Sequence, residues 1–236
     1  MRSGNEDAFL MLPNRGVFIV ADGMGGHAAG EVASEMAVHI VGKALEDLVG
    51  RPDGEASEII RKAIIEANGA IFQRTLVEQD KRGMGTTATA MVINGDRYLL
   101  GQVGDSRAYV LRDERLLQIT KDHSYVQEQV DAGYLTPEQA RTHPYSNVIT
   151  RCVGANADVA PDIYGGTLRE GDLFLLASDG LTGMLEDDEL LTIMSQGRPP
   201  GELVDRLIAE ANRRGGLDNI TAITVRVDSV EHTDDD

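Results

Sequence analysis

The stretch Val17-Phe18-Ile19-Val20-Ala21-Asp22-Gly23-Met24-Gly25-Gly26-His27 decides the fold. Five consecutive apolar residues predict a strand that is buried on both faces. An aspartate, a glycine-rich turn and a histidine follow directly. A carboxylate at the end of a buried strand is costly unless a cation meets it there, so Asp22 is the first candidate for a functional site.

The same pattern returns late in the chain, where Leu173-Phe174-Leu175-Leu176-Ala177-Ser178-Asp179-Gly180 again delivers Asp-Gly after an apolar run. A third aspartate, Asp218, precedes the strand-like residues 220–227. One Asp-Gly pair alone would be read as turn chemistry. Two such pairs together with Asp218 favour one shared metal site. Carboxylate oxygens suit Mg²⁺ or Mn²⁺, whereas Zn²⁺ more often recruits His or Cys.

Composition limits the possible function. The chain has 236 residues, 42% of them hydrophobic, and a formal net charge of -17. This charge disfavours nucleic acid as a partner, and with it a metal-dependent nuclease, because phosphate neutralisation needs a stripe of Lys and Arg. Cys152 is the single cysteine, so an internal disulfide is excluded. The absence of a signal peptide or an apolar run of about 20 residues predicts a cytoplasmic protein without a membrane segment.

The order of predicted elements indicates an α+β fold, because it lacks the strand–helix alternation of a doubly wound parallel sheet. Two antiparallel sheets with helices packed outside fit the order better. Asn94-Gly95 is a strong hairpin signal, and a second hairpin is expected around residues 112–115. The predicted strands are 8–12, 17–21, 87–93, 97–101, 108–111, 116–119, 173–177 and 221–227. Three predicted helices cover residues 32–48, 188–195 and 201–213. A further helix, after the first of these, carries Ile60, Ile64, Ala67 and Ile71 on one face.

Residues 122–132 and 136–142 are predicted to be helical or loop-like, and residues 145–160 are irregular. The irregular segment is either a mobile flap over a site or a plain connecting loop. We expect one domain over residues 1–230, followed by an acidic tail at 231–236.

Several residues have more than one reading. Gly23 to Ala28 matches a dinucleotide-binding pattern, but a second helix follows where a parallel strand is required, so this reading is rejected. Arg2 is either an exposed terminal charge or a bidentate phosphate clamp. His27 is either a solvated residue at a helix start or a general acid. Asp105 is either a turn residue or a further metal ligand. The other histidines, His123 among them, are interpreted as structural or surface residues.

Seven motifs in order resemble the bacterial form of the PPM (type 2C) family of metal-dependent protein serine/threonine phosphatases. The resemblance covers nearly the whole chain, from Arg2 to Val227. The motifs are Arg2 with Asn5-Glu6-Asp7, Asp22-Gly23-Met24-Gly25-Gly26-His27, Gly85-Thr86-Thr87, Gly104-Asp105-Ser106-Arg107, residues 147–154, Ser178-Asp179-Gly180 and Asp218-Asn219-Ile220-Thr221.

The resemblance implies a four-layer αββα sandwich of two antiparallel β-sheets flanked by helix pairs, with two Mn²⁺ or Mg²⁺ ions per chain. Asp22 would bridge both ions, the Gly23 carbonyl would bind one of them, and Asp179 and Asp218 would bind the other. Glu6 and Asp7 would hold ion-bound waters, and Asp105 with Asp179 would form a weaker third site. Arg2 would grip the phosphate and His27 would be the general acid.

The implied reaction is hydrolysis of phosphoserine and phosphothreonine by direct attack of a water or hydroxide shared by the two ions. The expected partners are phosphorylated proteins and a cognate bacterial Ser/Thr kinase, and the expected state is a monomer. The alternative is a catalytically weak or inactive phosphoprotein-binding regulator with the same fold.

Two departures from the family pattern affect these expectations. Relatives usually carry an additional strand before the arginine, so either the start is truncated or misassigned, or the sheet has an unfilled edge that would weaken the fold and the positioning of Arg2. Many relatives also have an aspartate four residues after Asp179, where this chain has Gly183. The second departure weakens the expectation of a third ion more than that of the central pair.

Overall fold

The computed structural model describes residues 4–25 and 29–230, and within these ranges ten strands form two antiparallel sheets. The strands are β1 (Asp7–Leu12), β2 (Val17–Met24), β3 (Gly85–Thr86), β4 (Ala88–Asn94), β5 (Arg97–Val103), β6 (Arg107–Arg112), β7 (Arg115–Gln118), β8 (Asp162–Thr167), β9 (Leu173–Ala177) and β10 (Ala222–Arg226). The first sheet has the order β1-β2-β4-β5-β8, with β3 pairing to the end of β2, and the second has the order β10-β9-β6-β7.

Helices cover the outer face of each sheet. The long helices pack against each other and against the first sheet, and the last two helices contact each other beside the second sheet. The helices of the described ranges are α1 (Ala29–Leu45), α2 (Asp53–Val77), α3 (Tyr125–Asp131), α4 (Pro137–Arg141), α5 (Asp179–Thr182), α6 (Asp187–Met194) and α7 (Pro200–Arg213). No helix in this part of the chain is long and apolar enough to cross a membrane.

The apolar run of β2 is buried on both faces, as its sequence predicts. Val17 and Ile19 pack into the cluster shared with α1 and α2, whereas Phe18 and Val20 pack between the two sheets with Phe174 of β9. Alternate residues of a strand point to opposite faces, so an unbroken apolar run fits a strand between a helical layer and a second sheet. A third cluster joins β9 to α6 and α7. The predicted four-layer αββα sandwich is confirmed.

Both predicted hairpins are present. In the first, Asn94 pairs with Arg97 and Gly95 has a φ of 61°. In the second, Asp113 and Glu114 have φ angles of 51° and 60°. Positive φ at both central residues is the type I′ turn, whose twist matches that of paired strands. The left-handed conformation is unfavourable for a residue with a Cβ, so the second turn carries local strain at Glu114.

We expect Glu114→Gly to raise the free energy of unfolding by about 0.5 kcal/mol, because relief of the left-handed conformation outweighs the extra freedom of glycine in the unfolded chain. Gly95→Ala is the matched control and should lower the free energy of unfolding by about 1 kcal/mol, because alanine is strained at the positive φ of this position. No atom lies within 4 Å of the added Cβ, so the backbone conformation is the cause of the loss rather than a steric contact. Urea unfolding of both variants and of the wild type measures these changes in the free energy of unfolding. A destabilised Glu114→Gly protein would contradict the assignment of strain.

Several features differ from the sequence prediction, among them the short strand β3, which was not predicted. Strand β8 was missed because Gly165 and Gly166 weaken its strand signal, and the short helix α5 was missed because it spans only four residues. Strand β2 continues through Asp22 and Gly23 to Met24, where a glycine-rich turn was expected. The continuation is stabilised by pairing with β3.

The segments between β7 and β8 resolve one of two open interpretations. Residues 122–132 and 136–142 contain α3 and α4, whose first turns are capped by Ser124 and Thr136. Residues 145–160 contain no helix or strand of the described set, only isolated bridges from Ile149 and Val153. Their mobility stays a prediction. Among the described strands, β1 is an edge strand of the first sheet.

Candidate metal centre

The predicted site residues come from distant segments of the chain. Those that the structure describes lie near the ends of β2 and β9 and in the loops that precede β6 and β10. Arg2 and His27 lie outside the described residues, so their predicted roles stay predictions. The others are Glu6, Asp7, Asp22, Gly23, Asp105, Asp179 and Asp218.

Asp22 lies within β2 rather than at its end, and it pairs across the sheet with Asp7 of β1. Directly opposite residues of an antiparallel pair have their Cβ atoms about 5 Å apart on the same face. Two carboxylates so placed repel each other. The sheet register itself therefore brings together two negative charges that a cation would stabilise.

The Gly85-Thr86-Thr87 motif holds the backbone of Asp22 from both sides. The Asp22 carbonyl accepts hydrogen bonds from the Thr87 N–H at 2.9 Å and from the Thr86 hydroxyl at 3.0 Å. The Asp22 N–H donates to Thr87 Oγ1 at 2.9 Å. Three hydrogen bonds from one short motif give Asp22 a single backbone position, which a ligand residue needs.

Gly23 occupies a position with no room for a side chain. A Cβ on Gly23 would lie 2.2 Å from the Gly30 carbonyl oxygen and 2.4 Å from that of Glu6. The Gly23 N–H donates to the Glu6 carbonyl at 3.0 Å, and the Ser34 hydroxyl donates to the same carbonyl at 2.6 Å. The glycine is thus required for close packing of β2 against the start of α1 and the segment before β1.

Asp7 is connected to the second sheet by one carboxylate oxygen. Its Oδ2 accepts hydrogen bonds from the Ser178 hydroxyl at 2.9 Å and the Thr221 hydroxyl at 2.7 Å. Its Oδ1 is buried and receives no donor from the described residues. Burial is the main reason that the pKa of Asp7 is raised; the two hydroxyl donors lower it in part, and Asp218 raises it.

Asp179 and Asp218 are brought together by tight packing between their neighbours. Asp179 is the first residue of α5. A Cβ on the next residue, Gly180, would lie 1.9 Å from the Asn219 carbonyl oxygen. The Asn219 side chain accepts from the Glu6 N–H at 3.0 Å and donates to the Gly4 carbonyl at 3.1 Å. Asn219 therefore joins the N-terminal segment to the loop that carries Asp218.

Asp105 lies in the loop between β5 and β6 and is buried. Its Oδ1 has no hydrogen-bond partner among the described residues. Burial, with the charges of Asp179 and Asp122, raises the pKa of Asp105 to about 8. The contribution of Asp179 indicates that Asp105 faces the same site, as the reading of Asp105 as a ligand requires.

Asp22 lies in an unfavourable electrostatic environment for a carboxylate. Burial raises its pKa well above the ordinary value, and the charges of Asp179, Asp7 and Asp105 raise it further. The Asp179 side chain is also within hydrogen-bonding reach of Asp22. Like charges at close range disfavour ionisation of every member of the group. Proton sharing or a divalent cation would relieve the repulsion.

The donor set fits a hard divalent cation. Within residues 4–25 and 29–230, no group of three or more Asp, Glu, His or Cys side chains forms a complete metal coordination site. The fit rests instead on the buried Oδ1 atoms of Asp7 and Asp105, which lack donors, and on the mutual repulsion at Asp22. Oxygen-only donors of this kind suit Mg²⁺ or Mn²⁺.

A cleft of about 750 Å³ opens beside these carboxylates. Its floor includes Asp105, Asp179 and Asp218, and its walls come from α3, α4 and the residues after α5. Arg141 of α4 lines the cleft and donates to the Thr182 carbonyl at 3.4 Å. The cleft is large enough for a peptide side chain and its neighbours.

Sequence reasoning missed the uncharged residues that position the carboxylates. These are Thr86, Thr87, Ser178, Asn219 and Thr221. The motifs already contained all five, and their signal was a Ser, Thr or Asn directly beside a site glycine or aspartate. Such side chains form short hydrogen bonds to neighbouring backbone, but the bonds here join segments up to 215 residues apart.

A family model described as protein phosphatase 2C matches residues 2–207. The chain belongs to the protein phosphatase 2C family. The motifs had predicted this family, and both the family and the enzyme class are confirmed. The matched region includes six of the seven motifs that carried the resemblance, and Asp218 lies beyond it.

Curated relatives extend the similarity to nearly the full length. The serine/threonine phosphatase stp of Listeria monocytogenes is 39% identical over 232 residues, which cover 97% of this chain and 92% of that protein. The protein phosphatase PhpP of Streptococcus pneumoniae is 40% identical over 229 residues, which cover 95% of this chain and 92% of PhpP.

Solved structures of the family superpose closely. The serine/threonine phosphatase PstP/Ppp of Mycobacterium tuberculosis has a TM-score of 0.88 at 39% identity, covering 98% of this chain and 94% of that one. The catalytic domain of PstP in complex with two manganese ions has a TM-score of 0.84 at 39% identity, covering 95% and 92%. The two ions belong to that structure, and they agree in kind with the oxygen-rich donor set described above.

Proposed function

We propose that this protein hydrolyses phosphoserine and phosphothreonine in proteins at a two-ion centre built on Asp22. The observation that carries the proposal is the approach of Asp7, Asp105 and Asp179 to the buried Asp22, whose pKa all three of these carboxylates raise. A fold has no structural need for such a cluster. Groups with strongly perturbed pKa values mark functional sites.

The position of each residue indicates its proposed role in binding the ions. Asp22, with its backbone held by Thr86 and Thr87, would be the ligand shared by the two ions. Asp179 and Asp218 would hold one ion, and the Gly23 carbonyl would hold the other. Divalent ions bound there would lower the pKa of water and offset charge on the phosphoryl oxygens.

The remaining acidic residues would act through water or at a weaker site. Glu6 and Asp7 orient waters, a role that fits the single buried Oδ1 of Asp7. Asp105 with Asp179 would serve a third ion. Arg2 would bind phosphate through its planar guanidinium, and His27 would protonate the leaving oxygen.

The cleft beside the site would receive the substrate. Its apolar wall includes Val126 and Val130 of α3, and Leu217 at its rim is 73% exposed. A phosphoprotein segment would place its phosphate at the carboxylate floor and its neighbouring residues along α3 and α4. In the cell, the protein would act in the cytoplasm as a monomer and would remove phosphate groups that a Ser/Thr kinase adds.

Hydrolysis of p-nitrophenyl phosphate and of a phosphothreonine peptide tests the proposal, with Mn²⁺, with Mg²⁺ and with EDTA. We expect metal-dependent turnover of both, and loss of turnover in Asp179→Asn, because a neutral amide does not replace the charge of the carboxylate. Asp228→Asn removes the same charge at an exposed position and should retain full activity.

Two results would overturn the proposal. One is turnover of the wild-type protein in EDTA, and the other is substantial activity in Asp179→Asn. Tight binding of the phosphopeptide without turnover, by folded protein supplied with Mn²⁺, would support the alternative of a phosphoprotein-binding regulator.

A further inference from the structure

His123 has a defined place next to the candidate centre, although the sequence suggested no role for it. It is 7% exposed and lies just before α3. Its ring Nδ1 is 3.1 Å from the Gly104 N–H nitrogen, and its ring Nε2 is 3.0 Å from Asp162 Oδ2. Its backbone N–H donates to the Gly104 carbonyl at 2.9 Å. One residue thus contacts both polar backbone groups of Gly104.

The geometry determines the tautomer of the His123 ring. A backbone N–H can only donate, so Nδ1 must be the acceptor and carries no hydrogen. A neutral imidazole then has its hydrogen on Nε2, and Asp162 is the acceptor for it. Arg151 Nη1 is also 3.0 Å from Nε2, and it donates instead to the Ala160 carbonyl at 2.8 Å and Asp162 Oδ1 at 3.0 Å.

Gly104 is the residue directly before Asp105, and its conformation is demanding. Its φ is 104°, and a Cβ there would lie 2.5 Å from the Thr87 side chain. The Gln102 amide donates to the carbonyls of Gly104 at 3.1 Å and of Ser106 at 2.7 Å. Gln102 thus fixes carbonyl groups of this loop, whereas the Gly104 N–H depends on His123. Loss of that acceptor would leave a buried donor unsatisfied.

We propose that His123 is a positioning residue: oriented by Asp162, its ring holds the Gly104 backbone and thereby fixes Asp105 toward Asp22 and Asp179. This inference rests on the proposed function only in assigning Asp105 to the ion site. Outer residues that orient metal ligands change metal affinity by about 10- to 100-fold when they are mutated.

The tautomer is tested without metal or substrate. In ¹⁵N-labelled metal-free protein, long-range proton–nitrogen correlation spectra of the imidazoles should show His123 as the Nε2–H form. In Asp162→Ala, this preference should weaken because the acceptor is lost. A His123 ring with its hydrogen on Nδ1, or one that is fully protonated at neutral pH, would overturn the proposal.

The effect on Asp105 is tested by Mn²⁺ binding, followed by the loss of the free-ion paramagnetic resonance signal. His123→Ala should weaken the weakest class of Mn²⁺ sites by about tenfold, and Asp105→Asn should weaken the same class. The double variant should show little further loss, because both changes act through one residue. His123→Asn should restore most of the affinity, since its Oδ1 can accept from Gly104, whereas His123→Gln should not.

Asp172→Asn is the structural control. Asp172 is buried and paired with Arg112 and with the backbone of Arg169, away from the site. This variant should lower thermal stability and leave Mn²⁺ affinity unchanged.

Wild-type Mn²⁺ affinity in folded His123→Ala would overturn the proposal. So would a loss in His123→Asn as large as that in His123→Ala. A wild-type protein that binds Mn²⁺ but hydrolyses no phosphoester would overturn the proposed function alone.

Discussion

Asp22→Asn is expected to abolish metal-dependent phosphatase activity, with a loss of at least about 1000-fold in kcat. The reason is the position of Asp22 at the centre of the carboxylate group, where Asp179, Asp7 and Asp105 all act on it. An amide keeps the hydrogen bonds of the backbone to Thr86 and Thr87 but removes the charge that a bridging ligand supplies. Initial rates with saturating Mn²⁺ measure the loss.

The same substitution is expected to raise the free energy of unfolding of the metal-free protein by about 1 kcal/mol. Without a cation, a neutral side chain at this position removes repulsion among buried like charges. Asp47→Asn is the matched control, because that side chain is 86% exposed. It should change neither activity nor stability by more than about 0.5 kcal/mol.

Activity and stability must therefore move in opposite directions for Asp22→Asn. An inactive variant that is also strongly destabilised would mean that Asp22 serves the fold rather than the site. An active variant would remove Asp22 from the reaction.

Gly23→Ala should also inactivate the protein, by a steric route. The added methyl would lie 2.2 Å from the Gly30 carbonyl oxygen and 2.4 Å from that of Glu6. These are backbone atoms, so either β2 or the start of α1 has to move. We expect a loss of about 2 kcal/mol in unfolding free energy and a loss of about 100-fold in kcat, because a displacement of about 1 Å is enough to misplace reacting groups.

Gly69→Ala is the control with the same chemical change. Gly69 lies inside α2, and no atom is within 4 Å of its added Cβ. Alanine in a helix interior is more stable than glycine by about 0.5–1 kcal/mol. Gly69→Ala should therefore be more stable than the wild type and equally active. If Gly23→Ala and Gly69→Ala changed stability and kcat equally, the added methyl group at Gly23 would be accommodated at little cost, and the prediction would be wrong.

Local sequence was sufficient where burial and turn chemistry act over a few residues. The five apolar residues of β2 predicted a doubly buried strand, and the structure divides them between a helical layer and the second sheet. Asn94-Gly95 predicted the β4–β5 hairpin. Strand β8 was missed because its two glycines carry no strand preference, and it pairs at the sheet edge through its backbone.

The carboxylates of the site could be named from the sequence because aspartate beside a buried apolar run is conspicuous. The roles of the uncharged residues could not. Ser178 and Thr221 are common residue types, and their hydroxyls matter because both donate to one oxygen of Asp7. His123 was read as structural or surface, and its contacts with Gly104 and Asp162 depend on three separate segments.

The sequence by itself determined the buried strands, the hairpins, the family and the aspartates available for a cation, because these follow from local patterns and ordered motifs. Only the tertiary structure decided which oxygens face each other. Asp7 and Asp22 meet through sheet register, and Asp179 and Asp218 approach because Gly180 packs on Asn219. Electrostatic coupling depends on distances of a few ångströms between side chains, and such distances between remote segments exist only once the chain has folded.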